Sequence, residues 1–261
     1  MFKQRLSAVA ALLMIVIPGL GLAQQPAVPT PMEADVQSLL SAFASYTDLR
    51  IGSVQRTLEA LASTSEARSG KWEKMKALLS AYQKSDDGLI VWFVRPDGSY
   101  YTPDKGLVDV KLNDRSYFPG LMSGQEIVGA LVVSKATGQR SAVIAVPMKD
   151  GAKVIGAIGA SLFLDRLSDQ IDSAFALRAD ATFFALAPNG LTTLNRRTDL
   201  HFVDPREVGS ETLKKAANEM LSNSAGETVY AFEGVTKRAI YRTSPLTQWK
   251  FAIALRVAPQ E

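Results

Sequence analysis

The chain has 261 residues, of which 47% are hydrophobic and 21% are charged, an ordinary composition for a globular protein that argues against a disordered one. Its 29 basic and 26 acidic side chains nearly balance, so electrostatics do not favour nucleic acid or an anionic membrane surface as a partner. Cysteine is absent and histidine occurs once, which excludes disulfides, thiol catalysis and cysteine-ligated metals. We therefore expect no cofactor and no metal site, and a bacterial envelope compartment fits better than secretion from a eukaryote.

The N-terminus has the features of a secretory signal peptide, predicted to span residues 1–23. Lys3 and Arg5 form a basic start, residues 6–17 are an almost unbroken apolar run, and small residues precede the expected cleavage after Ala23. The alternative is an uncleaved anchor in the inner membrane, because the apolar stretch nearly reaches spanning length. We favour cleavage, since proline and glycine interrupt the stretch, and therefore expect a periplasmic protein.

A proline-containing tether is predicted at residues 24–33, followed by a helical segment at 34–87. The helical segment carries apolar residues every three or four positions, the spacing of one helix face: Val36, Leu40, Phe43, Tyr46, Val54 and Leu58. A break is predicted at residues 65–70. Since about thirty helical residues span about 45 Å, the first helix should lie along two small domains or pair with a second copy. We favour the first arrangement, with a homodimer through this helix as the alternative.

Beyond residue 88 the pattern is that of strands and tight turns. A strand at 89–94 leads into the turn Arg95-Pro-Asp-Gly98. A short helix is predicted within residues 114–122. Three further strands are predicted at 126–134, 141–147 and 153–163.

The same order then repeats. The turn Pro188-Asn-Gly190 lies 92 residues after the similar turn Pro96-Asp-Gly98. The strand that closes each module recurs after 97 residues. The sequence therefore predicts two similar modules, at 88–165 and 181–258, joined by a connecting helix at 166–180. The predicted fold class is α+β, with a long N-terminal helix followed by two tandem modules with antiparallel sheets. A single barrel and a Rossmann unit are excluded.

Several short motifs resemble those of the double Cache family, the extracytoplasmic sensor domains of chemoreceptors and sensor kinases. In chain order they are Asp114–Phe118, Ser134 with Thr137-Gly138, Ala145–Pro147, Val154–Gly159 and Leu164–Leu167. The resemblance covers essentially the whole mature chain and implies two tandem PAS-like modules. It further implies a ligand pocket in the first, membrane-distal-type module and a smaller proximal-type module that passes on a conformational change.

The resemblance also implies where a ligand binds. In the amino-acid-sensing branch, an arginine followed by aromatic residues binds the ligand carboxylate. The matching residues here are Arg115, Tyr117 and Phe118, which the resemblance implies form this carboxylate clamp. The aspartate that pairs with the amine is expected near residues 159–161, which are Gly-Ala-Ser, and Val110 replaces an expected tyrosine. We therefore predict a small organic acid without an amine as the ligand.

Each candidate binding residue also has a structural interpretation. Arg115 suits a bidentate grip on a carboxylate, and its structural alternatives are a salt bridge with Asp114 or a solvent-exposed arginine. The aromatic candidates either wall the pocket or pack in the core. The two candidate serines lie in apolar strands, where a buried hydroxyl bonds to a ligand oxygen or to a backbone carbonyl. Besides the clamp residues, the candidates are Trp92, Tyr101, Ser134 and Ser161.

No recognisable catalytic motif occurs, and the single histidine, His201, is interpreted as structural with a pH sensor as the alternative. We therefore predict no catalytic residue and a non-enzymatic sensor. Because no output domain follows Glu261, we expect the signal to leave by contact with a membrane sensor kinase, chemoreceptor or transporter. The alternative is an envelope interaction or assembly protein that uses the same scaffold without binding a ligand.

Overall fold

The computed structural model describes residues 31–257 and begins with a 32-residue helix, α1 (Pro31–Ala62). The helix starts three residues before its predicted boundary, because proline is tolerated in the first helical turn, where no N–H is needed. The predicted break contains the one-turn helix α2 (Ser65–Arg68), and α3 (Trp72–Lys84) follows. The predicted signal peptide and residues 24–30 of the tether lie outside the described residues.

Six antiparallel strands form the first sheet, in the order β3-β2-β1-β6-β5-β4. Their bounds are β1 (Leu89–Val94), β2 (Tyr100–Thr102), β3 (Gly106–Leu107), β4 (Ile127–Val133), β5 (Arg140–Asp150) and β6 (Lys153–Phe163). A short helix, α4 (Phe118–Met122), precedes β4 in the chain. It is shorter than the predicted 114–122, because Pro119 lacks the N–H that would bond a preceding helical turn.

A connecting helix, α5 (Leu164–Phe175), leads to a second sheet with the strand order β8-β7-β11-β10-β9. The strands are β7 (Ala181–Leu186), β8 (Thr192–Asn195), β9 (Ala225–Phe232), β10 (Val235–Thr243) and β11 (Lys250–Arg256). Apart from the short β3, the two sheets share one topology. The predicted α+β class, with a long helix and two antiparallel sheets, is confirmed.

The second sheet carries a helix that the sequence analysis missed, α6 (Glu211–Ser222). Its signals were present: Ser210 caps the N-terminus by accepting a hydrogen bond from the Leu213 N–H, and Leu213, Ala217 and Met220 recur on one face. Two alanines weaken the apolar contrast of that face, which explains the omission.

One face of each sheet packs against α1. The apolar stripe of α1 is buried, with Leu40, Phe43, Ile51, Val54 and Leu58 each at most 2% exposed, and it joins both sheets, α3 and α5 in one core. The stripe therefore packs on the chain's own sheets, as favoured from the sequence.

The other face of each sheet is covered differently. On the first sheet, Trp92, Val94 and Tyr100 pack against α4 and the segment before it. On the second sheet, Phe184 and Tyr230 pack against α6. A cavity lies between each of these outer faces and its cover.

Candidate functional site

The outer face of the first sheet encloses a cavity of about 20 Å³, here called the first-sheet cavity. This is about enough for one water molecule. Strands β1, β2, β4 and β6 form its floor, and the segment before α4 covers it. Its lining residues are Ile90, Trp92, Tyr100, Leu112, Arg115, Tyr117, Val132, Ser134, Lys135, Ala136 and Ser161.

The cationic side of this cavity is formed by Arg115 and Lys135. Arg115 donates a hydrogen bond from Nη2 to the carbonyl oxygen of Val133 at 2.7 Å. Asp114 does not pair with Arg115; its carboxylate accepts from Lys135 Nζ at 2.6 Å and is 65% exposed. The salt bridge considered as an alternative for Arg115 is therefore not formed. Two cations and one solvated carboxylate therefore lie at this side, which leaves a net positive charge at the cavity.

Two tyrosine hydroxyls add hydrogen-bond donors to the same cavity. Burial raises the pKa of Tyr117 to about 12, and burial also raises the pKa of Tyr100. The Tyr100 hydroxyl is buried and has no hydrogen-bond partner among residues 31–257. Both groups remain protonated at neutral pH and can donate to an anion, and an unpaired buried hydroxyl costs about 1–3 kcal/mol until it finds an acceptor.

The indole of Trp92 fills the position where an amine-binding aspartate was expected. Trp92 lies directly across from Gly159 on β1 and β6, and a Cβ placed on Gly159 would lie 2.2 Å from the Cζ2 atom of Trp92. The indole N–H donates to the Ser161 hydroxyl oxygen at 3.2 Å. Residue 159 is glycine because no side chain fits beneath this ring, and the cavity contains no carboxylate for an ammonium group.

The structure brings five of the seven candidates to the cavity: Trp92, Arg115, Tyr117, Ser134 and Ser161. Phe118 instead packs in the adjacent core cluster. Tyr101 lies on the opposite face of the sheet, stacked on Trp72 with ring centroids 5.2 Å apart. Side chains alternate along β2, so Tyr100 and not Tyr101 reaches the cavity.

The serine partners also differ from the expected carbonyls. Ser134 is almost fully buried, and its hydroxyl oxygen accepts the backbone N–H of Thr137 at 3.3 Å, closing the turn between β4 and β5. The Ser161 hydroxyl accepts from the Trp92 indole. Sequence analysis missed Tyr100 and Lys135; the position of Lys135 next to Ser134 was an available signal, whereas Tyr100 could not be told from Tyr101.

A partly buried hydrogen-bond network around His201 connects the two sheets. Its Nδ1 atom lies 2.7 Å from Asp165 Oδ1, and its Nε2 atom lies 3.1 Å from the Ser168 hydroxyl, both on α5. Arg140 on β5 reaches the backbone carbonyl of His201 at 3.3 Å and the Asp165 carboxylate at 3.4 Å. His201 therefore joins the second sheet to α5 and to the first sheet, as a structural histidine would.

Acid is expected to weaken the fold through His201. Burial lowers the pKa of His201 below its usual value, although Asp165 acts in the opposite direction. As pH falls below about 6.5, the unfolded chain binds a proton that the folded chain does not, so the free energy of unfolding falls until the folded-state pKa is passed. Urea unfolding at pH 7.5 and 5.5 should show that the free energy of unfolding falls more between these pH values for the wild type than for His201→Gln. Equal losses would contradict this assignment, since the chain has no second histidine.

Comparison with known proteins identifies the family. A family model described as a Cache domain matches residues 27–259. The chain belongs to the double Cache family. Cache domains are extracellular, sensory ligand-binding domains, and no helix between residues 31 and 257 has the length and apolar character to cross a membrane. No curated protein sequence matches the chain significantly.

Solved double Cache structures share this fold at low sequence identity. The extracellular domain of rpHK1S-Z16, assigned as a histidine kinase, superposes with a TM-score of 0.72 at 19% identity, covering 87% of this chain and 95% of that one. The sensory domain of the Campylobacter jejuni chemoreceptor Tlp3 with isoleucine bound superposes with a TM-score of 0.65 at 13% identity, covering 86% of this chain and 92% of that one. The ligand-binding domain of the Pseudomonas fluorescens chemoreceptor CtaA in complex with L-isoleucine superposes with a TM-score of 0.63 at 16% identity, covering 86% of this chain and 90% of that one.

Proposed function

We propose that this Cache protein is an exported, non-enzymatic sensor that binds a small organic acid in the first-sheet cavity. The observation that carries the proposal is the convergence of Arg115, Lys135 and the unpaired Tyr100 hydroxyl on one cavity. A carboxylate there would accept hydrogen bonds from the guanidinium and from the hydroxyl, and charge-assisted bonds of this kind are about twice as strong as neutral ones.

Binding requires the cavity to open, because 20 Å³ does not hold a carboxylic acid. The guanidinium of Arg115 must leave the Val133 carbonyl, and the segment that carries Arg115 and Tyr117 forms the cover that moves with it. A ligand that bonds to Arg115 only in the open arrangement shifts the population toward that arrangement in proportion to its differential affinity. That shift is the proposed signal.

An acid without an amine fits the site better than an amino acid. Tlp3 and CtaA were solved with isoleucine, which carries an ammonium group. Here the Trp92 indole occupies the space above Gly159, and Ser161 is bonded to that indole. An ammonium group would therefore be desolvated without a compensating charge.

Matched ligand pairs test the proposal. Lactate or propionate is expected to raise the melting temperature of the purified protein, whereas alanine, of similar size, is not; a ligand at a hundred times its Kd stabilises by about 2.7 kcal/mol. Arg115→Ala is expected to weaken the acid's affinity at least tenfold. Arg166→Ala, on the exposed side of α5, is the control and should bind normally. Unchanged affinity in Arg115→Ala would contradict the site.

We propose that residues 88–165 form the ligand-binding module and that residues 181–258 pass its movement to a partner. The partner would be a membrane sensor kinase, chemoreceptor or transporter, because the structural relatives are the extracellular parts of kinases and chemoreceptors. A homodimer through α1 would use its outer face, where Leu49 is 66% exposed, because the inner stripe is buried in the chain's own core. We further propose that the signal peptide is cleaved after Ala23 and that the mature protein is released into the periplasm.

The small volume of the first-sheet cavity favours one alternative. An envelope interaction or assembly protein could keep the Cache scaffold while its own side chains fill the pocket. If no member of a broad panel of organic acids stabilises the protein, and Arg115→Ala leaves its behaviour in the envelope unchanged, this alternative replaces the sensor.

A further inference from the structure

The outer face of the second sheet encloses a much larger cavity, of about 340 Å³, here called the second-sheet cavity. Ligand sites usually measure about 300–1,000 Å³, so this volume is within their range while the first-sheet cavity is not. Its floor is formed by strands β7 to β11. Its cover is formed by α6 and residues 196–208.

Small side chains occur next to this space on both the sheet and α6. On the sheet, Ala239 and Ala254 are direct neighbours on β10 and β11, and Ala216 of α6 packs in the same buried cluster. Larger apolar residues surround them, including Phe184 and Leu213, which line the cavity. The part of the cavity beside α6 is therefore apolar, and it suits a hydrocarbon chain.

One end of the cavity is basic. Lys237 on β10 lies directly opposite Arg256 on β11 and opposite Tyr230 on β9, and all three line the cavity. Neither Lys237 nor Arg256 makes a side-chain hydrogen bond or ion pair with any residue from 31 to 257. The two lining carboxylates form ion pairs with other arginines, Asp180 with Arg178 and Glu233 with Arg197, which also lines the cavity.

Desolvation makes this basic end receptive to an anion. Lys237 is partly buried, and burial lowers its pKa even though Glu233 attracts it from beyond ion-pair distance. A bound carboxylate would restore the interaction that the ammonium group lost with water. The adjacent guanidinium of Arg256 can share the same carboxylate.

We propose that the second-sheet cavity binds an amphipathic monocarboxylate, with its carboxylate on Lys237 and Arg256 and its hydrocarbon chain beside Phe184 and Leu213. If each heavy atom takes roughly the 30 Å³ of a liquid water molecule, the cavity holds about ten heavy atoms. A fatty acid of about eight carbons has that size. This second site is separate from the organic-acid site proposed above.

Octanoate is the probe for this proposal, titrated into the purified mature protein by calorimetry. The wild type is expected to bind octanoate more tightly than 1-octanol, and Lys237→Met should weaken octanoate at least tenfold while leaving octanol unchanged. Lys214→Met, an exposed lysine on the outer side of α6, is the matched control and should bind both as the wild type does. If Lys237→Met fails to fold by circular dichroism, Arg256→Gln, which alters an exposed side chain, replaces it with the same expectation.

Three results would overturn the proposal: no octanoate binding at millimolar concentration, equal affinity for octanoate and octanol, or an unaltered octanoate affinity in Lys237→Met. Arg115→Ala separates the two sites. It should weaken binding of the small organic acid at least tenfold and leave octanoate affinity unchanged, so each site can fail without the other.

Discussion

Phe43→Ala is expected to lower the free energy of unfolding by about 3–5 kcal/mol, the cost of truncating a buried phenylalanine. The Phe43 side chain is fully buried. Its ring centroid lies 5.1 Å from that of Phe183 and 4.8 Å from that of Phe251. The substitution removes these aromatic contacts between α1 and the second sheet and leaves a void in the core.

Urea unfolding followed by circular dichroism measures this loss. Leu49→Ala is the control on the same helix, since Leu49 is 66% exposed, and its effect should stay within about 0.5 kcal/mol. A loss below about 1 kcal/mol for Phe43→Ala would show that α1 is not part of the common core.

Gly159→Ala is expected to destabilise the protein by about 1–3 kcal/mol, the usual cost of overpacking. The new methyl group would collide with the buried indole of Trp92, whose Cζ2, Cη2 and Cε2 atoms all lie within 2.6 Å of the added Cβ. The ring would have to leave its position, and its hydrogen bond to Ser161 would be lost with it.

A double-mutant cycle isolates this contact. Trp92→Leu should cost stability by itself, because it removes most of a buried indole. Once the ring is gone, adding Gly159→Ala should cost little, which gives a coupling energy of about 1 kcal/mol or more. Additive effects would mean that the ring and the glycine do not constrain each other.

The sequence predicted the architecture because its signals are local. A period of three to four residues marks α1, and Pro-Asp-Gly98 and Pro-Asn-Gly190 mark equivalent hairpins in the two sheets. Tandem repetition is visible without any knowledge of contacts. These local rules place strands and turns in order, and the shared topology of the two sheets follows from them.

The small size of the first-sheet cavity and the existence of the second-sheet cavity could not be predicted, because both depend on residues that are distant in sequence. Trp92 closes the first cavity only because Gly159 lies opposite it on β6, and strand register is not a local property. Likewise, Tyr100 and Tyr101 are indistinguishable neighbours until the strand's orientation is known. The basic end of the second cavity requires Lys237 and Arg256 to meet across β10 and β11.

The position of β11 has a consequence for how the chain acquires its structure during synthesis. In the second sheet β11 lies between β7 and β10, so neither half of that sheet is joined until residues 250–256 have been made. The pocket around Phe43 is complete only after Phe251, some two hundred residues later in the chain, has been synthesised. The apolar stripe of α1 can therefore pack on the first sheet once β6 has been made, whereas its contacts with the second sheet form only when translation is nearly complete.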